Sequence, residues 1–272
     1  MIDEQLAGQV EEAVRSAAAA EIMPRWRRLA VDEVSEKTGP HDLVTDADRN
    51  AELMLAAELG ALLPGSVVVG EESVHADPAG YALLSGDAPV WVVDPVDGTR
   101  PFVRGETGFC TLVALAHRGE LLASWTFAPA LGLLAFARRG GGAWLNGERL
   151  AAGSPAPGSP LRVAYSHPDY TSGAQKDALS GLWAAGVAPR PCGAAGMEYV
   201  GIARGEVDAV AFSWELAWDH AAGLLLVAEA GGTARTLAGE PFRLVGGNAL
   251  PFTAARDAAT AERVRDLLTV PA

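Results

Sequence analysis

The chain contains very little cysteine: Cys110 and Cys192 are the only two among 272 residues. They are too few and too far apart in the sequence for a disulfide scaffold or a zinc knuckle. The sequence also has no apolar run long enough to cross a membrane, and its acidic N-terminus does not resemble a signal peptide. We therefore expect a cytoplasmic protein that has no membrane partner.

Basic residues are scarce as well. The chain has 21 lysines and arginines against 34 aspartates and glutamates, which gives a formal net charge of −13. Proteins that bind a nucleic-acid backbone need a basic stripe to displace its counterions, and this composition offers none. The same negative charge would repel a phosphorylated substrate unless the binding site carries its own cations. We expect no nucleic-acid partner.

The remaining composition is typical of a globular protein, with 49% hydrophobic and 20% charged residues. The length allows one large domain or two closely packed halves. Residues 151–160, with the sequence AAGSPAPGSP, are rich in proline, glycine, serine and alanine, which predicts a linker. We predict an N-terminal α+β part, residues 1–150, and a C-terminal α/β part, residues 151–272, within one compact catalytic unit.

Hydrophobic periodicity predicts helices mixed with strands. Ile2, Leu6, Val10 and Val14 recur every four residues, which predicts an amphipathic helix that ends or kinks at Pro24. Residues 37–48 are predicted to form a polar loop, and a second helix follows from residue 45 or 46 to about residue 62. Further helices are predicted over residues 175–185, 199–204 and 218–230. Strands are predicted over residues 67–69, 90–93, 111–116, 121–128, 133–137, 161–165 and 207–212.

The most informative stretch is VWVVDPVDGT, residues 90–99. Its apolar residues predict a short buried strand that ends at Asp94, because Pro95 cannot donate a ladder hydrogen bond. A turn formed by Asp97, Gly98 and Thr99 then brings a second carboxylate close to the first. Two carboxylates roughly 4 Å apart repel by about 4 kcal/mol at an effective dielectric of about 20, and a divalent cation is the usual compensation. A strand followed by an ordinary Asp–Gly turn is the simpler alternative.

Acidic residues also lie at the ends of other predicted elements. The strand over residues 67–69 runs directly into Glu71, which repeats the pattern of a strand that ends in a carboxylate. Asp42, Asp46 and Asp48 lie at or near the start of the second helix, where they could simply stabilise the helix dipole. Asp219 lies at the start of the helix over residues 218–230, where a structural role as N-cap is the alternative.

Four short segments together resemble the signature sequences of the inositol monophosphatase family. They are DLVTDAD at residues 42–48, GEES at 70–73, DPVDGT at 94–99 and WDHAAG at 218–223, and they occur in the family's order and spacing. The resemblance implies a magnesium-dependent, lithium-sensitive phosphomonoesterase that is commonly a homodimer. It also implies an α/β fold, a layered αβαβα sandwich of the inositol monophosphatase and fructose-1,6-bisphosphatase type.

The resemblance further implies roles for individual residues of this chain. The enzyme would bind two or three Mg²⁺ ions and would be inhibited by Li⁺. The implied Mg²⁺ ligands are Glu71, Asp94, the Val96 carbonyl, Asp97 and Asp219. The implied catalytic residues, of which the first two would orient the attacking water, are Asp48, Thr99 and Glu71. The residues implied to contact phosphate or substrate are Lys37, Gly98, Thr99, Gly193 and Ala195.

The implied reaction is direct in-line attack on a phosphate monoester by a metal-activated water, with no phosphoenzyme. Metal ions can lower the pKa of a bound water from 15.7 to about 7 and can neutralise charge on the transferring oxygens. Haloacid-dehalogenase-type phosphatases are the main mechanistic alternative, since they place a D-x-D-x-T segment after a buried strand. Two residues separate Asp94 from Asp97 here, so the spacing does not match that segment.

The resemblance is incomplete where the substrate is selected. Inositol-type members carry a carboxylate seven residues before the aspartate of the Trp–Asp pair, and that position is Phe212 in this chain. Glu215 lies nearby and could make the substrate contact instead. Arg100 and Pro101 follow the DPVDGT segment where a polar pair including asparagine is usual. Arg100 could reach a second phosphate or a carboxylate on the substrate, although a solvated arginine is the alternative.

We therefore expect the substrate to be a small phosphorylated metabolite. Inositol phosphate, histidinol phosphate, fructose 1,6-bisphosphate and 3′-phosphoadenosine phosphates remain open, the last of these as substrates of a 3′(2′),5′-bisphosphate nucleotidase. A family member that has kept only a binding or regulatory role is the alternative from another functional class. The residues implied to bind the metal and to orient the attacking water are all present, which argues against that alternative.

Overall fold

The computed structural model describes residues 2–37, 39 and 41–269. Thr38 and Pro40 of the predicted polar loop lie outside the described residues. The α-helices among the described residues are α1 (Glu4–Ala17), α2 (Asp46–Leu62), α3 (Glu71–Ala76), α4 (Thr99–Val103), α5 (Gly173–Leu179), α6 (Ala195–Ala203), α7 (Ala217–Glu229) and α8 (Ala258–Arg265).

The strands form one small hairpin and two larger sheets. Those of the hairpin and the larger sheet are β1 (Val34–Glu36), β2 (Leu43–Thr45), β3 (Val67–Gly70), β4 (Val90–Asp97), β5 (Cys110–His117), β6 (Glu120–Ala128), β7 (Leu133–Arg138), β8 (Gly142–Leu145) and β9 (Glu148–Arg149). Those of the smaller sheet are β10 (Leu161–Tyr165), β11 (Val187–Pro191), β12 (Ala209–Phe212), β13 (Thr233–Arg235) and β14 (Phe252–Ala255).

The larger sheet has seven strands in the order β3-β4-β5-β6-β7-β8-β9. β3 and β4 are parallel, and every later pair is antiparallel. Short turns connect the strands from β5 to β9, whereas the chain passes from β4 to β5 through α4. The smaller sheet has the order β11-β10-β12-β14-β13. In it β10 runs parallel to both of its neighbours, whereas β14 is antiparallel to β12 and β13.

The helices and sheets stack in five layers. Helices α1 and α2 cover one face of the larger sheet, α6 and α7 lie between the two sheets, and α5 and α8 cover the outer face of the smaller one. Strand β4 shows this packing in its alternation, since Trp91 and Val93 face the outer helices while Val90 and Val92 face α7. A strand that is buried on both faces reads as a continuous apolar run. The predicted αβαβα sandwich is confirmed.

Strand β4 is longer than its sequence predicts. It continues through Pro95 to Asp97, and its pairing with β5 shifts register between Asp94 and Asp97. Proline is tolerated here because a bulge removes the need for its missing N–H. The bulge is stabilised by side chains, since Thr111 donates its hydroxyl to the Pro95 carbonyl at 2.9 Å and the Val96 N–H donates to Asp94 Oδ1 at 3.0 Å.

Other predicted boundaries also moved. The predicted polar loop contains β2, which pairs with β1 just before the loop, and the segments after Gly70 and Gly98 form the short helices α3 and α4. Helix α1 passes into a π-helical turn over Ala18–Ile22 before Pro24. Helix α6 begins at Ala195, four residues before the predicted start. Helix α5 is short and continues as a 3₁₀ turn over Ser180–Trp183.

The predicted linker, residues 151–160, has no regular structure but is not a free tether. Ala152 is fully buried; its N–H donates to the Ala230 carbonyl at 2.9 Å, and its own carbonyl accepts from Arg256 Nε at 2.6 Å. The strands of the larger sheet precede this segment and those of the smaller sheet follow it. The two parts share a core, because Leu226 of α7 packs with Ala135 of β7. No helix among the described residues has the length and apolar character needed to cross a bilayer.

Candidate active site

Three aspartates meet in a cleft between the two sheets. Asp94 and Asp97 lie in the last part of β4, and Asp219 lies in the first turn of α7. One carboxylate oxygen of each lies within 4.8 Å of the others. The residue at the N-cap of α7 is Leu216, so the alternative in which Asp219 serves as N-cap is wrong. Its carboxylate faces the two acids of β4 instead of capping its own helix.

The local electrostatics disfavour three bare carboxylates. Burial raises the pKa of Asp94, and the negative charges of Glu71 and Asp97 raise it further. Burial likewise raises the pKa of Asp219, with Asp97 as the next contribution. Such mutual repulsion is relieved when a positive charge is bound among the acids. A set of carboxylate oxygens is also the donor type that hard divalent cations prefer.

Asp97 is held in place by the start of α6. Its Oδ1 accepts from the Ala195 N–H at 3.1 Å, and its Oδ2 accepts from the Gly196 N–H at 2.6 Å. A Cβ at Gly196 would lie 2.5 Å from a Leu112 methyl and 2.7 Å from the Cys110 sulfur, so only glycine allows this approach. The Ala195 backbone was predicted to contact substrate, but its N–H already donates a hydrogen bond to Asp97.

The buried Asp48 and the half-buried Thr99 form a second pair beside the aspartates. The N–H and hydroxyl of Thr45 both donate to Asp48 Oδ2, at 2.8 and 2.6 Å. The Thr99 hydroxyl lies 3.3 Å from Asp48 Oδ1 and 3.1 Å from the Val96 carbonyl. Burial raises the pKa of Asp48 to about 6, against the hydrogen bonds from Thr45. Asp48 therefore caps α2 and also contacts a threonine of the cleft.

Lys37 reaches the cleft from the β1–β2 hairpin. Its ammonium lies 2.6 Å from Glu71 Oε1 and 2.5 Å from Glu72 Oε1. Burial alone would lower the pKa of Lys37, but the two carboxylates raise it above its usual value. Burial raises the pKa of Glu71, and Lys37 opposes that shift. Lys37 thus offsets part of the negative charge that gathers here.

Glu52 is a structural acid of this region that the sequence did not reveal. Its two oxygens accept the N–H groups of Glu72 and Ser73 at 2.7 Å each, which satisfies the start of α3. A Cβ at Gly70 would lie 2.3 Å from the carboxyl carbon of Glu52, so this approach also requires glycine. Glu52 follows Asp48 by four residues on one buried face of α2, and that spacing was the available signal.

The cleft is a cavity of about 670 Å³. The predicted site residues that line it are Glu71, Asp94, Val96, Asp97, Gly98, Thr99, Gly193, Ala195 and Asp219. Gly98 has a positive φ of 85°, and a Cβ there would lie 2.8 Å from the Ala194 side chain. Lys37 and Asp48 contact the site from behind this lining. Arg100 and Asp169 pair across the cavity mouth, with Arg100 Nη1 2.5 Å from Asp169 Oδ2.

Glu215 does not line the cavity, contrary to its predicted substrate contact. Its carboxylate accepts from the Gly247 and Asn248 N–H groups at 3.1 and 2.8 Å and from the Asn248 amide at 2.8 Å. These bonds fix it to the loop before β14, so it cannot replace the carboxylate missing at Phe212. Phe212 is itself fully buried and lies in the core of the smaller sheet.

Comparison with known proteins agrees with this architecture. Residues 3–268 match the sequence profile described as the inositol monophosphatase family. The chain belongs to this family. Its membership confirms the predicted class of enzyme, the phosphoric monoester hydrolases.

Individual relatives of the family are similar over most of their length. An inositol-1-monophosphatase of Rhizobium meliloti (strain 1021) is 37% identical over 203 residues, which cover 71% of this chain and 72% of the relative. A fructose-1,6-bisphosphatase/inositol-1-monophosphatase of Thermotoga maritima is 32% identical over 80% of each chain. The solved structure of a Thermotoga maritima IMPase superposes with a TM-score of 0.79 at 27% identity, covering 97% of this chain and 96% of the other.

Proposed function

We propose that this chain hydrolyses a small phosphate monoester with the help of divalent cations held in the cleft. The observation that carries the proposal is the cluster of Asp94, Asp97 and Asp219, whose oxygens lie within 4.8 Å of one another inside a cavity. Like charges at this spacing need a bound positive charge. The cavity is large enough for a small metabolite beside that cluster.

The chemistry of the donor set fits Mg²⁺. The three aspartates would hold it, with Glu71 and the Val96 carbonyl as further ligands. When bound, the cation would neutralise phosphoryl charge and lower the pKa of a water. Glu71 Oε1 lies 2.6 Å from Lys37, so this oxygen is shared with the ammonium. The presence of two or three ions and the inhibition by Li⁺ remain predictions.

Asp48 and Thr99 would position the attacking water. The hydroxyl of Thr99 has a single proton, and donating it to Asp48 Oδ1 leaves its oxygen able to accept a hydrogen bond from a water in the cavity. A proton lost by that water could then pass through Thr99 to Asp48. The pKa of Asp48, about 6, suits a general base near neutral pH. The backbone at Gly98 and Thr99, where α4 begins, would contact the phosphate oxygens.

The substrate that we propose differs from the one in the family's name. The two relatives are named for inositol 1-phosphate and fructose 1,6-bisphosphate, but Phe212 is buried and Glu215 is turned toward the loop before β14. We therefore propose a preference for a metabolite other than inositol phosphate. Histidinol phosphate, fructose 1,6-bisphosphate and 3′-phosphoadenosine 5′-phosphate are the candidates to compare. A cytoplasmic homodimer remains our prediction for the working enzyme.

A phosphate-release panel tests this proposal. The purified chain is assayed with Mg²⁺ and inositol 1-phosphate together with these three candidates. We expect release from at least one, lost in Asp94→Asn because the cluster then lacks a charge. Asp46→Asn is the matched control, because it makes the same chemical change at a half-exposed side chain at the start of α2. Phosphate release that Asp94→Asn leaves intact would overturn the metal-site assignment, and preferred inositol 1-phosphate would overturn the substrate proposal.

A further inference from the structure

Asp219 has a partner that the proposed reaction does not use. Trp214, five residues earlier in the chain, donates its indole N–H to Asp219 Oδ2 at 2.7 Å. Trp214 lies in the connection between β12 and α7 and lines the cavity. A hydrogen bond to a carboxylate is short and directional when the acceptor is charged. The indole thus fixes one oxygen of Asp219 and restricts rotation of the carboxylate.

Trp214 is in turn fixed by the residue that follows Asp219. His220 is fully buried, with Nε2 3.1 Å from the Trp214 carbonyl and Nδ1 2.9 Å from the Tyr199 hydroxyl. A carbonyl oxygen can only accept, so Nε2 carries the imidazole proton and donates it to Trp214. In the neutral ring Nδ1 then accepts the proton of Tyr199. The donor and the acceptor of each hydrogen bond in this series are therefore fixed.

Aromatic packing makes the arrangement rigid. The ring of Phe212 packs against Trp214 with centroids 4.2 Å apart and planes tilted by 38°, and Phe252 meets the His220 ring edge-on at 4.9 Å. Tyr199 is packed so closely against α7 that a Cβ on Gly223 would lie 2.0 Å from its ring. Side chains in such a close-packed interior have little rotamer freedom. The position where inositol-type relatives carry a carboxylate is thus occupied by the aromatic support of Trp214.

We infer that Trp214 and His220 are positioning residues for Asp219, acting through the hydrogen-bonded series Tyr199–His220–Trp214–Asp219. This inference rests on the proposed function, because it assigns the series the task of holding Asp219 ready for a divalent cation. Trp214 Nε1 holds Oδ2 of Asp219, and a carboxylate oxygen of Asp219 lies within 4.8 Å of oxygens of Asp94 and Asp97. Groups that orient a ligand in this way typically change metal affinity by 10- to 100-fold.

Mn²⁺ binding to the whole chain, followed by electron paramagnetic resonance, tests the inference without an activity measurement. Trp214→Phe keeps an aromatic ring but removes the donor, and we expect the tightest Mn²⁺ site to weaken about 10-fold. His220→Leu should weaken it similarly, whereas His220→Gln, whose amide can still donate to the Trp214 carbonyl, should stay close to wild type. Trp144→Phe is the matched control, since its indole donates to the Gly141 carbonyl away from the cleft.

A spectroscopic measurement checks the hydrogen bond itself. In ¹⁵N-indole spectra the Trp214 signal is the one that disappears in Trp214→Phe, and we expect it to shift on adding Mg²⁺ and in Asp219→Asn. If His220→Leu fails to fold, the Mn²⁺ affinities of Trp214→Phe and Tyr199→Phe test the inference in its place. Equal Mn²⁺ affinity in Trp214→Phe and Trp144→Phe would overturn the inference.

The binding data also separate this inference from the proposed function. Wild-type chain that binds Mn²⁺ but releases no phosphate from any tested ester would count against the proposed function alone, provided that Trp214→Phe still weakens the binding. Wild-type chain that binds no Mn²⁺ would overturn both, because the series would then have no cation to serve.

Discussion

At the scale of single residues, carboxylates of the cleft make structural hydrogen bonds and also lie where the proposed function needs them. Asp48 completes the cap of α2 through Thr45 and also contacts the hydroxyl of Thr99. Asp97 is tied to the start of α6 while it contributes to the acidic cluster. A structural explanation for an acid in this protein therefore does not exclude a functional one, because one carboxylate has enough lone pairs for both.

Thr99 offers the sharpest test at this scale. Thr99→Val keeps the side-chain shape but removes the hydroxyl that links Asp48 to the cavity, so we expect kcat to fall by about 10²- to 10⁴-fold. The KM and the Mn²⁺ affinity should change little, because the acidic cluster remains. Steady-state kinetics on the substrate identified in the panel measures the effect. Thr99→Ser restores the hydroxyl and should recover most of the rate; a serine variant as slow as the valine variant would contradict the proposed relay.

At the scale of secondary structure elements, Asp208 joins three neighbouring strands of the smaller sheet. Its buried carboxylate accepts from the backbone N–H and the guanidinium of Arg162 at the start of β10, at 2.8 to 3.0 Å, and from Arg256 after β14 at 3.0 Å. Burial alone would raise the pKa of Asp208, but these donors hold it below its usual value. Asp208 itself immediately precedes β12, so the cluster ties the ends of β10, β12 and β14.

This cluster predicts a pH-dependent contribution to stability. An acid whose pKa is lower in the folded chain stabilises the fold above its unfolded pKa of about 4, and this stabilisation is lost as the pH falls through the folded pKa. We expect Asp208→Asn to reduce the free energy of unfolding by about 2 kcal/mol at pH 7, discounted because Arg162 is half exposed. Urea unfolding at several pH values should show the difference from wild type shrinking below pH 4.

Asp87→Asn is the control for this measurement. It makes the same chemical change at a side chain that is 95% exposed, so it should leave the pH dependence of stability unchanged. A difference between Asp208→Asn and wild type that is constant from pH 7 to pH 3 would show that the charge of Asp208 contributes nothing, and that the substitution acts by packing alone.

At the scale of the whole molecule, α7 joins the two sheets. It contributes to the core beside the larger sheet through Ala221 and to the core beside the smaller sheet through Val227. The cleft lies at the N-terminal end of this shared helix, with Asp219 in its first turn. The stability of the fold and the geometry of the cleft should therefore depend on the same layer.

This shared layer predicts cooperative unfolding of the two sheets. Leu226→Ala removes a buried side chain of α7, and we expect a loss of about 2–5 kcal/mol in the free energy of unfolding. Hydrogen exchange should rise together in β4–β6 and in β10–β12, because both sheets pack on α7. Leu53→Ala, the same change at a 71% exposed site, should have little effect. Faster exchange confined to one sheet would show that the predicted N-terminal and C-terminal parts unfold separately.

Features that depend on short-range patterns could be predicted from the sequence alone. The apolar run before Asp94, the glycine at position 98 and the four signature segments were enough to predict a layered α/β enzyme and the acids of its cleft. Such features can be read because strand and helix periodicity and the need for positive φ are local properties of the chain. Family signatures add the long-range information that periodicity does not contain.

The hydrogen bonds between residues far apart in the chain could not be predicted in this way. Only the packing of α6 against β4 shows that the Ala195 N–H belongs to Asp97, and only the fold of the loop before β14 shows that Glu215 turns away from the cavity. The support of Asp219 by Trp214 and His220 was equally invisible, since both look like ordinary core residues in sequence. Hydrogen-bond partners that lie far apart in the chain are chosen by the packing of whole layers, which no local pattern encodes.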